Sequence, residues 1–337
     1  MDDMTKIRAC LFGGAMGDAL GAEIEFWNLE RIHARFPHGL KELPPHDGRA
    51  GRITDDTQMT LFTAEGLIRA AVRGQVRGIC APAGVVHHAL LRWYRTQGGV
   101  PQMEVCDQGL VGDARLRKRR APGITCLSAL GETRRFGEVA CNDSKGCGTI
   151  MRVAPCALIA CDAAHAETLA RDTSALTHGH VLGQEAAVAF ARILFEVFHG
   201  ATLECAVGSV SLSHPIMTAL EAAMTAQPDG TAETVERLGG GWVAEEALAI
   251  AVYAARVSRD IQHGLQIAVT HSGDSDSTGA MAGNLLGLMH PAETLAHRWR
   301  SDIECADLID RIARDLAAAR EPGDGFAEDY WDRYPGF

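Results

Sequence analysis

Strand-like alternation of apolar and polar residues is nearly absent from this chain of 337 residues, which leaves helices as its building material. No apolar run approaches the length needed to cross a bilayer. The N-terminus, MDDMTKIRAC, begins acidic and lacks the basic and apolar regions of a signal peptide, so the expected compartment is the cytoplasm, with no membrane partner. The 10 cysteines include no C-x-x-C pair and no zinc-like spacing, in a chain too large to need disulfide staples. They are expected to be reduced and mostly in the core. Positive charge is in deficit, with 32 Lys and Arg against 43 Asp and Glu, and a net charge of -11 argues against a nucleic-acid partner. The one basic cluster, RLRKRRAPG from Arg115 to Gly123, reads as a solvated loop or helix end. There is no internal repeat, no low-complexity segment and no Pro/Ser-rich linker. Length alone suggests about two domains, but without a composition break the expectation is one domain over 1–337.

What is present is apolar material in helical periodicity, 47% of the residues being hydrophobic. The spacing predicts helices over 4–22, 57–74, 81–97, 149–160 (broken or kinked at Pro155), 165–176, 183–200, 244–257, 278–289 and 305–321. The stretches 37–51 and 98–113 read as loops. The first helix carries Gly13, Gly14, Gly17 and Gly21, spaced to let another backbone approach closely. These elements imply an all-α, compact helical bundle.

Two acidic motifs stand far apart in the chain: RITDDTQMT, with Asp55 beside Asp56, and HSGDSDSTGAMAGNLLGLM, with Asp274 and Asp276. Each sits where a helix should start. Thr54 is a credible N-cap, and Ser277 and Thr278 lead into the second helix. A single motif of this kind does no more than complement a helix dipole. Two of them converge on one point if the helices meet end-on, and they then offer only hard oxygen ligands, which suit Mg²⁺, Mn²⁺ or Ca²⁺ rather than zinc. The second motif is not an EF-hand, because later ligand positions fall on residues such as Ala280 and Leu285. With Glu25 of GDALGAEIEF there are five carboxylates, enough to balance two divalent ions with a small negative excess. In a third stretch, NDSKGCGTIMRVAPCA, Ser144, Lys145, Gly146 and Gly148 precede an expected helix, so that amides and an ammonium could hold a phosphate. Taken alone, the same residues describe an ordinary loop entering a helix.

The motifs GGAMGDALGAEIEF, TDDTQMT, SKGCGTIMR, THGH and GDSDSTGAMAGNLLG, in that order from about residue 13 to 287, make the chain resemble the ADP-ribosylglycohydrolases. That group includes the dinitrogenase reductase-activating glycohydrolase and arginine-specific hydrolases. The resemblance implies an all-α orthogonal bundle with a binuclear Mg²⁺ centre, Mn²⁺ being the other ion of the same chemistry. It puts Thr54, Asp55, Asp56, Asp274, Asp276 and Ser277 at the metals, Ser277 standing where threonine is common in the family. It puts Ser144, Lys145, Gly146, Cys147 and Gly148 along the diphosphate, and His178 toward the adenosine half, with His180 competing. Asp55, Asp56, Glu25 and Asp274 are the candidates for acid and base, their roles left unapportioned. Asp18 is expected to bond backbone amides rather than to act in catalysis.

The implied reaction is hydrolysis of the glycosidic bond that joins ADP-ribose to a protein, on arginine first. The alternatives are a hydrolase of another ADP-ribose linkage or of an ADP-ribose-containing small molecule, and a protein that neutralises an ADP-ribosyltransferase toxin by binding it. The segments around 98–125 and 326–337 match no motif and are where substrate or partner selection could differ.

Overall fold

Helices follow one another along the chain: α1 (Asp3–Gly21), α2 (Leu29–Arg35), α3 (Asp55–Arg77), α4 (Pro82–Thr96), α5 (Ile124–Glu132), α6 (Ala154–Ile159), α7 (Ala163–Ala175), α8 (Val181–Phe198), α9 (Leu203–Gly208), α10 (His214–Thr225), α11 (Ala232–Glu236), α12 (Ala244–Val257), α13 (Ile261–Val269), α14 (Ser275–Met289), α15 (Pro291–Ala296), α16 (Ala306–Arg320) and α17 (Phe326–Tyr330). This computed structural model describes residues 1–336. Among them there is no β-strand, only isolated bridges at His46–Arg49 and Gly146–Val243. No helix is long and apolar enough to cross a membrane.

Every helix read from periodicity is present. The stretch 149–160 is broken as expected, into a 3-10 turn, Ile150–Arg152, and α6. Pro155 falls in the first turn of α6, where its missing N–H costs nothing. The helices not read from the sequence include the short α5, α9, α11 and α15, which bury too few apolar residues for a period to show, as in α5, where only Cys126, Ala129 and Leu130 are buried. The longer α10 and α13 were missed as well, although α13 buries Ile261, Leu265, Ile267, Ala268 and Val269.

The centre of the bundle is the antiparallel pair α1 and α14. From Ile7 onward nearly every residue of α1 is buried, and so is nearly all of α14, so neither has a polar face to give to solvent. Glycine sets their spacing. A Cβ at Gly13 would overlap the Gly283 carbonyl, one at Gly17 the Gly279 carbonyl, and one at Gly21 the Ser275 carbonyl. The end of α1 that leads to Glu25 is thereby fixed beside the start of α14, which carries Asp274 and Asp276.

Two expectations change. Arg120, in the basic cluster read as solvated, is 3% exposed and paired with Glu304 and Asp47. The Arg120 carbonyl accepts from the Asp55 N–H at 3.2 Å, so this end of the cluster packs on the site, while Arg115, Arg117, Lys118 and Arg119 face water as expected. Of the cysteines, all free, only Cys10, Cys126, Cys156 and Cys305 are buried, and Cys141, Cys161 and Cys205 are exposed. The aromatic tail is a packed element: the Tyr334 hydroxyl donates to Asp315 at 2.5 Å, and Arg69 and Arg73 donate to the carbonyls of Pro335 and Gly336. Residue 337 lies outside the described residues.

Candidate active site

One wall of the site is the first turn of α3. Thr54 caps it, its hydroxyl accepting from the Asp56 N–H. Asp18, fully buried in the last turn of α1, fixes that turn of α3 from behind. It accepts from the Thr54 N–H at 3.0 Å, the Thr54 hydroxyl at 2.9 Å, the Thr57 N–H at 3.1 Å and the Thr57 hydroxyl. These bonds give Asp18 the supporting position expected from the sequence. Burial, then the nearby Asp276, push its carboxyl up to about 7.

The facing wall is the first turn of α14. Asp274 caps it, accepting from the Ser277 N–H at 3.3 Å, and Asp276 accepts from the same N–H at 2.9 Å. The Asp274 N–H donates to the Gly240 carbonyl at 2.9 Å. Gly273 is required here, because a Cβ would overlap that Gly240 carbonyl.

Between the two walls lies a cleft of about 340 Å³, lined by Glu25, Asp55, Asp56, Asp274, Asp276 and Ser277. Glu25, Asp274 and Asp276 each offer a carboxylate oxygen within 4.8 Å of the other two. No Lys or Arg lines the cleft to offset them. Burial first, then the charge of Asp276 and Asp274, push the Glu25 carboxyl up to about 10. Burial first and Asp276 second hold Asp55, Asp56 and Asp274 well above the usual carboxylate range. Asp56 Oδ1 is buried without a hydrogen-bond partner. An oxygen-only donor set with an orphaned acceptor and no counter-cation fits bound divalent cations.

Gly146, Cys147, Gly148, Cys126, Met151 and His178 form the rest of the lining toward the glycine loop. The Cys147 thiol donates to Asp274 Oδ2 at 2.7 Å. Gly148 leaves room where a Cβ would come within 2.9 Å of Cys126 Sγ and 3.1 Å of the His178 ring. His178 is buried and held neutral, its pKa pushed down to about 3 by burial and then by Arg152, and its Nδ1 lies 3.0 Å from the Thr177 hydroxyl. His180 is a helix cap, accepting from the Leu182 N–H.

Not every residue grouped by sequence lines the cleft. Thr54 lies behind it, bonded to Asp18 and Asp56. Ser144 bonds Thr125 at 3.1 Å and takes the Gly146 N–H, and the Lys145 ammonium pairs with Glu245. The loop leads into a 3-10 turn rather than directly into an α-helix. The Cys147 N–H is spent on the Trp242 carbonyl. The ammonium and two of the amides read as phosphate ligands are thus already engaged, because the loop is strapped to the start of α12. The cleft wall at 121–126 falls almost wholly in the segment around 98–125 where substrate selection was expected to differ, whereas Phe26 and Trp242, which also lie at the cleft, were missed. A signal for Trp242 was available in the run Gly239–Gly241 before a lone tryptophan.

The sequence model of the ADP-ribosylglycohydrolase family matches residues 1–325. The ADP-ribosylhydrolase ARH3 of Mus musculus is 22% identical, the alignment covering 93% of this chain and 91% of the relative. The ADP-ribosylarginine hydrolase Tri1 of Pseudomonas putida is 24% identical over 93% of this chain and 78% of its own. The ADP-ribosyl-[dinitrogen reductase] glycohydrolase of Rhodospirillum rubrum is 24% identical over 87% and 88%. A solved structure described as an ADP-ribosylglycohydrolase-related protein complex superposes with a TM-score of 0.69 at 26% identity, covering 95% of this chain and 100% of that one.

Proposed function

The chain belongs to the ADP-ribosylglycohydrolase family, and from that premise we propose that it is an Mg²⁺-dependent hydrolase that removes ADP-ribose from arginine side chains of modified proteins. It is an ADP-ribosylglycohydrolase, and its family hydrolyses ADP-ribose linkages. The observation that carries the finer reading is the cleft itself: buried carboxylates on two facing helix starts, with no Lys or Arg among the lining. Such a lining favours cations, both a metal and a guanidinium-bearing substrate, over an acidic or neutral linkage. The Pseudomonas putida relative bears the name of an arginine-specific enzyme, in keeping with this choice.

Asp55, Asp56, Asp274 and Asp276, with the Ser277 hydroxyl, are the residues that would hold the metal. Divalent ions there supply Lewis acidity and orientation of the ribose hydroxyls. The chain's own residues do the rest. Asp18 and the Thr54 cap hold the Asp55 and Asp56 carboxylates in place. Gly146 and Gly148 give the substrate room beside the neutral His178 ring. Glu25 is the one carboxylate of the group that is only partly buried, and we assign it the proton. Water bonds to the anomeric carbon, the carbon–nitrogen bond breaks, and a proton passes through Glu25 to the departing guanidine nitrogen, which leaves poorly without one. Glu25→Gln should lower kcat by roughly 10²–10⁴, the usual worth of a general acid or base, while calorimetry still detects Mg²⁺ binding. Unchanged kcat would remove Glu25 from the chemistry.

Two further outcomes test the reading. Gly148→Val places its methyl groups against Cys126 and His178, so ADP-ribose binding by calorimetry should weaken at least about tenfold more than metal binding does; equal loss of both would return the loop to a purely structural role. The experiment for the function as a whole is release of ADP-ribose from arginine-linked and serine-linked substrates, with Mg²⁺ and with EDTA. Release from the arginine substrate alone, abolished by EDTA, is the expected result, and preference for serine would overturn the arginine assignment.

A further inference from the structure

Phe26 and Trp242 form a small aromatic shelf at the mouth of the cleft. Their rings stack with centroids 5.1 Å apart and planes inclined by 24°. Both line the cleft, and both stay open to solvent, 69% and 42% exposed. A single exposed ring needs no explanation, but two stacked rings at a cleft mouth form a contiguous apolar patch of the kind that marks a contact surface.

The backbone is committed to this arrangement. Phe26 has φ 66°, a left-handed conformation that a bulky residue adopts only under constraint. Trp242 follows Gly241, which has φ 76°, and its carbonyl accepts from the Cys147 N–H at 3.2 Å. The indole also lies close against Gly240, whose carbonyl holds the Asp274 amide. The shelf is therefore built on the same two segments that place Glu25 and Asp274.

Neither ring is covered by a cation of the chain. The neighbouring Trp27 provides the contrast, since the Arg31 guanidinium lies 3.6 Å from its ring centroid. Among the described residues no Lys or Arg lies over Phe26 or Trp242, and none lines the cleft beneath them.

We propose that the Phe26–Trp242 shelf is the leaving-group subsite, whose open aromatic face takes the guanidinium of the modified arginine. This rests on the function proposed above and says where that enzyme recognises arginine. The group that departs is bonded directly to the anomeric carbon, so it must lie next to the carboxylates that act there, and Phe26 is joined to Glu25 by a single peptide bond. The adenine is separated from that carbon by a diphosphate and a second ribose. A flat cation over an indole face gains cation–π attraction, and the acidic floor below adds to it.

The test uses the whole protein and two variants, Trp242→Leu and Phe26→Gly, the second of which also relieves the left-handed backbone. The measurements are KM and kcat on an arginine-linked substrate, and by calorimetry the dissociation constant of free ADP-ribose, which has every part of the substrate except the guanidinium. KM should rise roughly five- to tenfold in each variant, with a clearly smaller change for ADP-ribose; binding of ADP-ribose also shows that the variants are folded. If wild type cleaves the arginine substrate and KM does not move, the shelf assignment is overturned. If KM and ADP-ribose binding weaken together, the shelf holds part of ADP-ribose, the adenine foremost, and the assignment is equally overturned. If wild type does not cleave the arginine substrate at all, the failure lies in the proposed function and takes the subsite with it.

Discussion

Asp55→Ala and Asp276→Ala are each expected to lower turnover by about 10³-fold or more, the several kcal/mol of transition-state stabilisation that a Lewis-acid centre supplies. They should do so without unfolding the chain. The first turn of α3 keeps its Thr54 cap and its four bonds to Asp18 when Asp55 is removed. In EDTA the variants should be as stable as wild type or more so, because each substitution removes a buried carboxylate whose charge pushes up the pKa of Asp56 beside it. In Mg²⁺ the order should reverse. A ligand at about 100 times its dissociation constant adds roughly 2.7 kcal/mol to the folded state, a rise of several degrees in Tm for a chain of this size. Wild type should show that rise and the variants should lose most of it. Full activity in either variant, or an Mg²⁺-induced shift equal to that of wild type, would contradict the assignment of these carboxylates.

Gly17→Ala is expected to be among the most destabilising small substitutions in the molecule, costing about 3 kcal/mol. The added methyl would occupy the position of the Gly279 carbonyl, and backbone on both sides leaves nothing flexible to move aside. Gly74→Ala is the matched control: its Cβ meets nothing within 4 Å near the end of α3, so it should stabilise by roughly 0.5–1 kcal/mol. Urea denaturation compares them directly. Gly17→Ala should also weaken Mg²⁺ binding, although Gly17 touches no candidate ligand, because the contact it disturbs is the one that holds Glu25 beside Asp274 and Asp276. Equal midpoints for wild type and Gly17→Ala would mean that the two helices are not held at glycine spacing.

The α1–α14 pairing shows what the sequence could reveal. Four glycines on one helix and the small residues of TGAMAGNLLG are visible as letters, and so are two acidic turns preceded by capping residues. Close packing and convergence follow from them by local rules. The loop Asn142–Gly148 shows the other case. Lys145 beside a G-x-G motif looks available for a phosphate, yet its ammonium pairs with Glu245, a hundred residues away, and the Cys147 amide is taken by Trp242. No local pattern specifies such partners. The same holds for Arg120, whose burial depends on Glu304. Phe26 left no mark comparable to the glycine run before Trp242, since a single aromatic residue has no period, and only the fold brings its ring against Trp242.

The central claim is that the acidic cleft works as a catalyst rather than as a surface that covers a partner. A catalyst turns over, whereas an occluding protein must match the concentration of what it covers. The direct measurement is a titration of wild type and of Asp55→Ala against a fixed amount of arginine-ADP-ribosylated protein together with the transferase that modified it, in Mg²⁺ and in EDTA. The account predicts that a small molar fraction of wild type clears the modification in Mg²⁺ and not in EDTA, and that Asp55→Ala clears none. Equal, stoichiometric protection by wild type and variant, indifferent to metal, would contradict it.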